Sequence, residues 1–189
     1  GPVRTGTVRV VANRGLAGID GVVSTAAGVA LAGGGATYAL VGDLTFLHDV
    51  GALLIGPLER RPNLTVVVVN DDGGGIFATL EPGEPERAAD FERVFGTPTG
   101  ARIEDLARAY SIGYARATSA AELTAEVERV PEGLRVVEVA LARGSHRSVR
   151  QSLREAAERA TAQLHPTARS GPPNPGRPDR DYPERGMRV

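Results

Sequence analysis

Apolar positions fall in short blocks separated by glycine, proline or charge, and the blocks are of two kinds. One kind is rich in β-branched residues: TVRVVA at 7–12, TYALV at 37–41, LTVVVVN at 64–70 and LRVVEVAL at 134–141. Runs this short, closed by Gly, Asn or Asp, predict strands. LTVVVVN is apolar on both faces, the pattern of a central strand in a parallel sheet. The other kind has helical spacing: VVSTAAGVALA at 22–32, stopped by three glycines, and LTFLHDVGALLI at 44–55. Further helices are expected over 102–110, 120–130 and about 145–164, with a short strand near 112–115. Residues 71–100, rich in Gly and Pro, read as irregular. Strands alternating with helices mean βαβ units and right-handed crossovers, so the expected fold is α/β: a doubly wound parallel sheet over residues 1–164. Residues 165–189 carry too little apolar surface to offset their ordering entropy and read as a disordered Pro/Arg-rich tail.

Composition narrows the chemistry. With 41% hydrophobic residues, a chain of 189 residues can bury an ordinary core. Cysteine is absent, which excludes disulfides, thiolate zinc sites and thiol nucleophiles, so any metal must take oxygen or histidine. Every basic side chain other than histidine is Arg, so a Walker A lysine and Schiff-base chemistry are excluded as well. A formal charge of -1 supplies no basic field for a nucleic acid. No apolar run has membrane-spanning length and the start lacks a signal-peptide profile, so a cytosolic protein is expected. There is no initiator Met, which leaves open a processed product or a piece of something longer.

Ligands of open parallel sheets bind outside the carboxyl ends of the strands. Three such ends stand out: NRGLAGIDG, GDLT and NDDGGGIF. In GDLT, Gly42 allows a tight turn, Asp43 presents a carboxylate, and Leu44 and Thr45 open a helix whose free N–H groups attract an anion such as phosphate. A carboxylate beside a diphosphate requires a cation between them. Asp71, at the tip of the neighbouring strand, and the Gly73 carbonyl are candidate further ligands. Mg²⁺ takes six oxygens at roughly 2.0–2.1 Å, and two diphosphate oxygens and a water would complete such a shell. The competing reading is turn chemistry, with Asp43 a helix N-cap. His48, His146 and His165 receive no catalytic role, and Arg143, Arg147, Arg150 and Arg154 read as a solvated helix face.

GDL followed by NDDGG one βαβ unit later resembles the GDG and NN elements of the pyrophosphate-binding domain in thiamine diphosphate-dependent enzymes. NRGLAGIDGVVSTAAG, GDLTFLHD and NDDGGGIF are similar, more narrowly, to the 2-succinyl-5-enolpyruvyl-6-hydroxy-3-cyclohexene-1-carboxylate synthase family of menaquinone biosynthesis. The resemblance implies thiamine diphosphate with Mg²⁺ or Mn²⁺ as cofactors and Asp43, Asp71 and the Gly73 carbonyl as metal ligands. Asp71 stands where many relatives have Asn. Gly42, Leu44 and Thr45 match the diphosphate turn, and Ile19 matches the apolar residue that props the cofactor in its bent form. Arg14 matches a substrate-carboxylate ligand, and Ile76, Phe77 and Leu80 match an apolar substrate wall.

For the whole enzyme the resemblance implies decarboxylation of 2-oxoglutarate and addition of the succinyl unit to isochorismate, in a homo-oligomer. The activating Glu belongs to a pyrimidine-binding domain of the same or a neighbouring chain, for which 189 residues leave no room. The expectation is therefore the C-terminal cofactor domain of the synthase, inactive alone. An acetolactate-synthase or decarboxylase relative and a non-catalytic cofactor-binding module are the alternatives. Arg14 as a surface residue and Ile19 as plain core also stay open.

Overall fold

The computed structural model describes residues 8–13, 18–33 and 35–164. Its centre is a four-stranded parallel sheet of β1 (Thr37–Gly42), β2 (Leu64–Asn70), β3 (Gly113–Ala117) and β4 (Leu134–Ala140), in the order β1-β2-β4-β3. The helices are α1 (Val22–Gly33), α2 (Asp43–His48), α3 (Ala88–Phe91), α4 (Ile103–Ala109), α5 (Ala120–Glu128) and α6 (His146–Leu164). The α/β class expected from the alternation is the one observed.

Side chains of a strand alternate between faces, so each face needs its own cover. On one face Ala39, Val41, Leu64, Val66, Val68, Leu134 and Val136 meet Val23 and Ala30 of α1, Phe46 of α2 and Ile103 of α4. On the other, Val67, Ala117 and Val137 meet Leu123 and Val127 of α5. The all-apolar run of β2 follows from this position, since Leu64 through Val68 are all buried. Ser119 caps α5 by accepting from the Glu122 N–H at 3.2 Å, while the Glu122 carboxylate accepts from the Thr118 N–H at 2.7 Å.

Three expectations are corrected. The run over 7–12 forms no strand among its described residues: 8–13 is exposed and unassigned, with no ladder partner to supply the pairing that β-propensity needs. The helix expected over 44–55 is two pieces, α2 and a 3₁₀ turn at Val50–Leu53, because Asp49 leaves helical geometry between them (φ -120°, ψ 27°). Its carboxylate accepts from the Ser24 N–H at 2.7 Å and hydroxyl at 2.9 Å, tying the start of α1 to the end of α2. The stretch 71–100 is a chain of short turns: 3₁₀ at Gly75–Thr79, Glu81–Gly83 and Pro85–Arg87, then α3, then a π-turn at Glu92–Gly96.

The chain divides into two compact units, residues 1–148 and 149–189. The sheet and the start of α6 lie in the first, and the rest of α6 lies in the second. The expected tail over 165–189 lies outside the described residues. No helix among the described residues is long and apolar enough to cross a membrane.

Candidate functional site

Parallel pairing sets β1 and β2 side by side with Gly42 opposite Val69, so the residues leaving both strands emerge at one edge of the sheet. Asp43 leaves β1 directly into α2 and is only 3% exposed. Its Oδ2 accepts the Gly73 N–H at 2.6 Å, a bond from the loop after β2 back to the tip of β1. Burial raises the Asp43 carboxyl above the ordinary carboxylate range. The N–H groups of Gly73 and Leu44 oppose that shift and the charge of Asp71 adds to it. A cation placed between two such carboxylates would relieve both the burial cost and their repulsion.

Asp43 does not cap α2. Gly42 occupies the cap position, and no side chain hydrogen-bonds there. Gly42 is extended (φ -78°, ψ 165°), so the expectation that it is needed for a tight turn is corrected. A Cβ there would meet nothing within 4 Å, so close packing does not require glycine at this position either.

The three glycines after Asp72 each have a reason, conformational only for Gly73; a Cβ on Gly74 would run into the Phe95 carbonyl. Gly73 sits at φ +130°, and a Cβ on it would run into the Gly96 carbonyl. A Cβ on Gly75 would collide with Asp71 Oδ2. Gly74 donates to the Gly96 carbonyl at 2.7 Å, and Gly75 donates to the Gly73 carbonyl at 3.0 Å. Asp72, at φ 57°, accepts from the N–H groups of Thr99 and Gly100 at 3.0 Å each and so pins the far end of the loop. Thus of the two adjacent aspartates one fixes the loop, while Asp71 turns toward His146, whose Nδ1 lies 3.4 Å from its Oδ2.

The sequence-predicted residues are distributed as follows. Asp43, Asp71 and Gly73 come together at the tips of β1 and β2, with Gly42 before and half-buried Leu44 and Thr45 after. Ile76, Phe77 and Leu80 follow on one turn and stay exposed, at 67%, 37% and 44%. Phe77 leans on Phe95 with ring centroids 5.9 Å apart. Ile19 lies 38% exposed ahead of α1, which sets aside its reading as plain core. Arg14 lies outside the described residues.

Sequence reasoning missed a buried polar brace behind the loop. Glu138, 7% exposed in β4, accepts from Asn70 Nδ2 at 2.8 Å and from the Tyr114 hydroxyl at 2.5 Å. Burial and this carboxylate push the Tyr114 phenol well above its usual value. Asn70 Oδ1 in turn accepts the Asp72 N–H at 3.0 Å. A Glu among the valines of LRVVEVAL was the available signal. One of the three histidines given no catalytic role, His146, and two of the four arginines read as solvated, Arg143 and Arg147, also face this loop.

Among the described residues no group of three or more His, Asp or Glu side chains converges as a metal cage. The donor set is two carboxylates and a backbone carbonyl, all hard oxygen. It fits a divalent cation such as Mg²⁺ that draws its remaining ligands from a bound diphosphate and water, and it does not fit a closed structural site.

The model of the family described as "Thiamine pyrophosphate enzyme, C-terminal TPP binding domain" matches residues 4–140. The 2-succinyl-5-enolpyruvyl-6-hydroxy-3-cyclohexene-1-carboxylate synthase of Nocardia farcinica is 57% identical over 148 residues, covering 78% of this chain and 27% of the relative. The protein of that name from Saccharopolyspora erythraea is 54% identical over 144 residues, covering 76% and 26%. The chain thus spans about a quarter of the length of these relatives. A solved benzoylformate decarboxylase from Polynucleobacter necessarius superimposes with a TM-score of 0.47 at 22% identity, over 66% of this chain and 23% of that one.

Proposed function

Because the chain belongs to the family of thiamine pyrophosphate enzyme C-terminal, cofactor-binding domains, we propose that it is the cofactor-binding part of a synthase that joins a succinyl unit from 2-oxoglutarate to isochorismate. The observation that carries this reading is the pair Asp43 and Asp71 at the tips of adjacent parallel strands, with the Gly73 N–H on the buried Asp43. Asp43, Asp71 and the Gly73 carbonyl would hold Mg²⁺, and Gly42, Leu44 and Thr45 would seat the diphosphate. The cofactor, once bound, supplies the electron sink for loss of carbon dioxide from a 2-oxo acid.

What the chain itself contributes is binding and orientation. The two carboxylates would hold the cation beside the diphosphate. Ile19, from the loop before α1, would support the cofactor. Ile76, Phe77 and Leu80 form an apolar wall that lowers the local dielectric and excludes water on the substrate side. Arg14 takes a substrate carboxylate. The exposed apolar residues of the loop are supporting evidence, since Ile76 at 67% exposure lacks cover within this chain's described residues.

A pyrimidine-binding domain, from the same longer chain or a neighbour, completes the site in a cytosolic homo-oligomer. The purified chain should accordingly show no synthase turnover. Adding a pyrimidine-domain polypeptide of a close relative should restore turnover with 2-oxoglutarate and isochorismate, and not with pyruvate. Turnover by the chain alone, or preference for pyruvate after reconstitution, would overturn the assignment.

A further inference from the structure

We infer that the start of α6 is a clasp on the site loop, with Arg143 and Arg147 as positioning residues for the segment that carries Gly73, Ile76, Phe77 and Leu80. Residues 143, 146 and 147 have the spacing i, i+3, i+4 across a 3₁₀ turn (Arg143–Ser145) and the first turn of α6, which sets them on one side. That side faces the loop after β2. In naming what the loop is held for, the inference rests on the cofactor reading above; the clasp itself rests on the contacts.

Arg143 is 18% exposed in its side chain. Its Nη1 donates to the Gly96 carbonyl at 3.2 Å and its Nη2 to Glu92 Oε2 at 2.8 Å. The same Gly96 carbonyl accepts the Gly74 N–H at 2.7 Å, so one oxygen joins the helix start to the glycine triplet. Arg147 spans the next two turns: Nη1 donates to the carbonyls of Gly83 at 2.6 Å and Ala78 at 3.3 Å, and Nη2 to Glu84 Oε1 at 2.8 Å. Carbonyls at the ends of short 3₁₀ turns have no following helical N–H to meet, and a planar guanidinium can serve several of them at once. An ammonium offers no such fixed fork.

The contrast within the cluster supports the assignment. Arg154, with its side chain 72% exposed and 4.0 Å from Glu158, is a solvated surface pair of little energetic weight. Arg143 and Arg147 instead bond backbone 47 to 69 positions away. The turns they hold bury few apolar side chains, since Ile76, Phe77 and Leu80 are all exposed, so polar contacts carry their order.

The test is hydrogen–deuterium exchange on the full 189-residue chain, with titration of thiamine diphosphate in Mg²⁺, the pyrimidine-domain polypeptide added, alongside. Arg147→Ala should raise exchange over 76–84 by about tenfold, the size of one lost charge-assisted hydrogen bond, with β2 and β4 unchanged. Arg147→Lys should restore the pairing with Glu84 and not the double carbonyl bridge, so its exchange over 76–84 should stay nearer the Ala variant. Glu84→Gln, which keeps the carbonyl bonds, should stay within about twofold of wild type. Arg143→Ala should raise exchange over 73–75 and weaken cofactor affinity by about tenfold. Exchange over 76–84 that matches wild type in Arg147→Ala, or full rescue by Lys, would overturn the clasp. Failure of the wild-type chain to bind the cofactor even with the pyrimidine-domain polypeptide added would sink the cofactor reading instead, and the exchange result would still decide the clasp.

Discussion

The sheet interior and the loop over its carboxyl edge are built on opposite principles. In the interior Leu64, Val66, Val68 and Val136 are fully buried, and the driving force is removal of apolar surface from water, which has no preferred direction. In the loop over 71–100 order comes from directed bonds: Asp43 to Gly73, Asp72 to Thr99 and Gly100, Arg143 to Gly96, Arg147 to Gly83. The interior tolerates exchange of one hydrophobe for another of like volume, whereas the loop depends on particular donors meeting particular acceptors. A rigid interior presenting a polar, separately held loop is the arrangement expected where a charged ligand must be gripped and released.

The comparison can be broken first at the place where the two regions touch. Phe46 is fully buried under α2, three residues after Asp43. Phe46→Ala should cost about 3–5 kcal/mol of stability, measured by urea unfolding, because the cavity lies in the shared core. A loss below 1 kcal/mol would mean that α2 is not anchored through the interior.

Next in size is the polar brace between the regions. Tyr114→Phe leaves Glu138 Oε2 without its hydroxyl donor in a buried setting, and should cost about 1–3 kcal/mol. If the same variant unfolds at the wild-type urea midpoint, Glu138 is satisfied by other means.

The pH dependence sharpens the contrast further. Asp43 has a carboxyl raised by burial, so the folded chain holds this proton more tightly than the unfolded chain does. By linkage its contribution to stability is fully present below the ordinary value of 3.8 and is lost as pH rises through the folded value. Without metal, Asp43→Asn should therefore gain on wild type as pH increases through that window, read as a rise in the variant's urea midpoint minus that of wild type. A fall in that difference would reverse the sign assigned to burial. The smallest effect is expected at an exposed pair: Arg108→Ala, which loses partners Glu104 and Asp105, should change stability by about 0.5 kcal/mol or less.

These two principles also explain what was legible in the sequence. The run LTVVVVN declares a central strand because Leu64 through Val68 are all buried, so composition alone carries most of the information. Asp43 and Asp71 were legible because both directly follow strands, and parallel pairing brings such positions together without further detail. Phe46 and the α2 break at Asp49 show the limit: helical spacing runs on through 44–55, and the acceptor bonds that Asp49 makes to Ser24 decide otherwise. Arg143 and Arg147 lay further out of reach. Their spacing announces a shared side, but nothing local to 143–147 says that carbonyls at 78, 83 and 96 wait opposite. The run at 7–12 shows the reverse error: its described residues have β-propensity without a partner strand among the described residues.

Calorimetric titration of the chain, reconstituted with the pyrimidine-domain polypeptide, with thiamine diphosphate, in Mg²⁺ and again in chelator, tests the central claim most directly when wild type is set beside Asp43→Ala. Wild type should bind only with the cation, and the variant, still folded by circular dichroism, should lose affinity on the order of a hundredfold. Equal affinity with and without Mg²⁺, or an Asp43→Ala chain that binds as wild type does, would contradict the claim that two strand-tip carboxylates seat the cofactor through a shared cation.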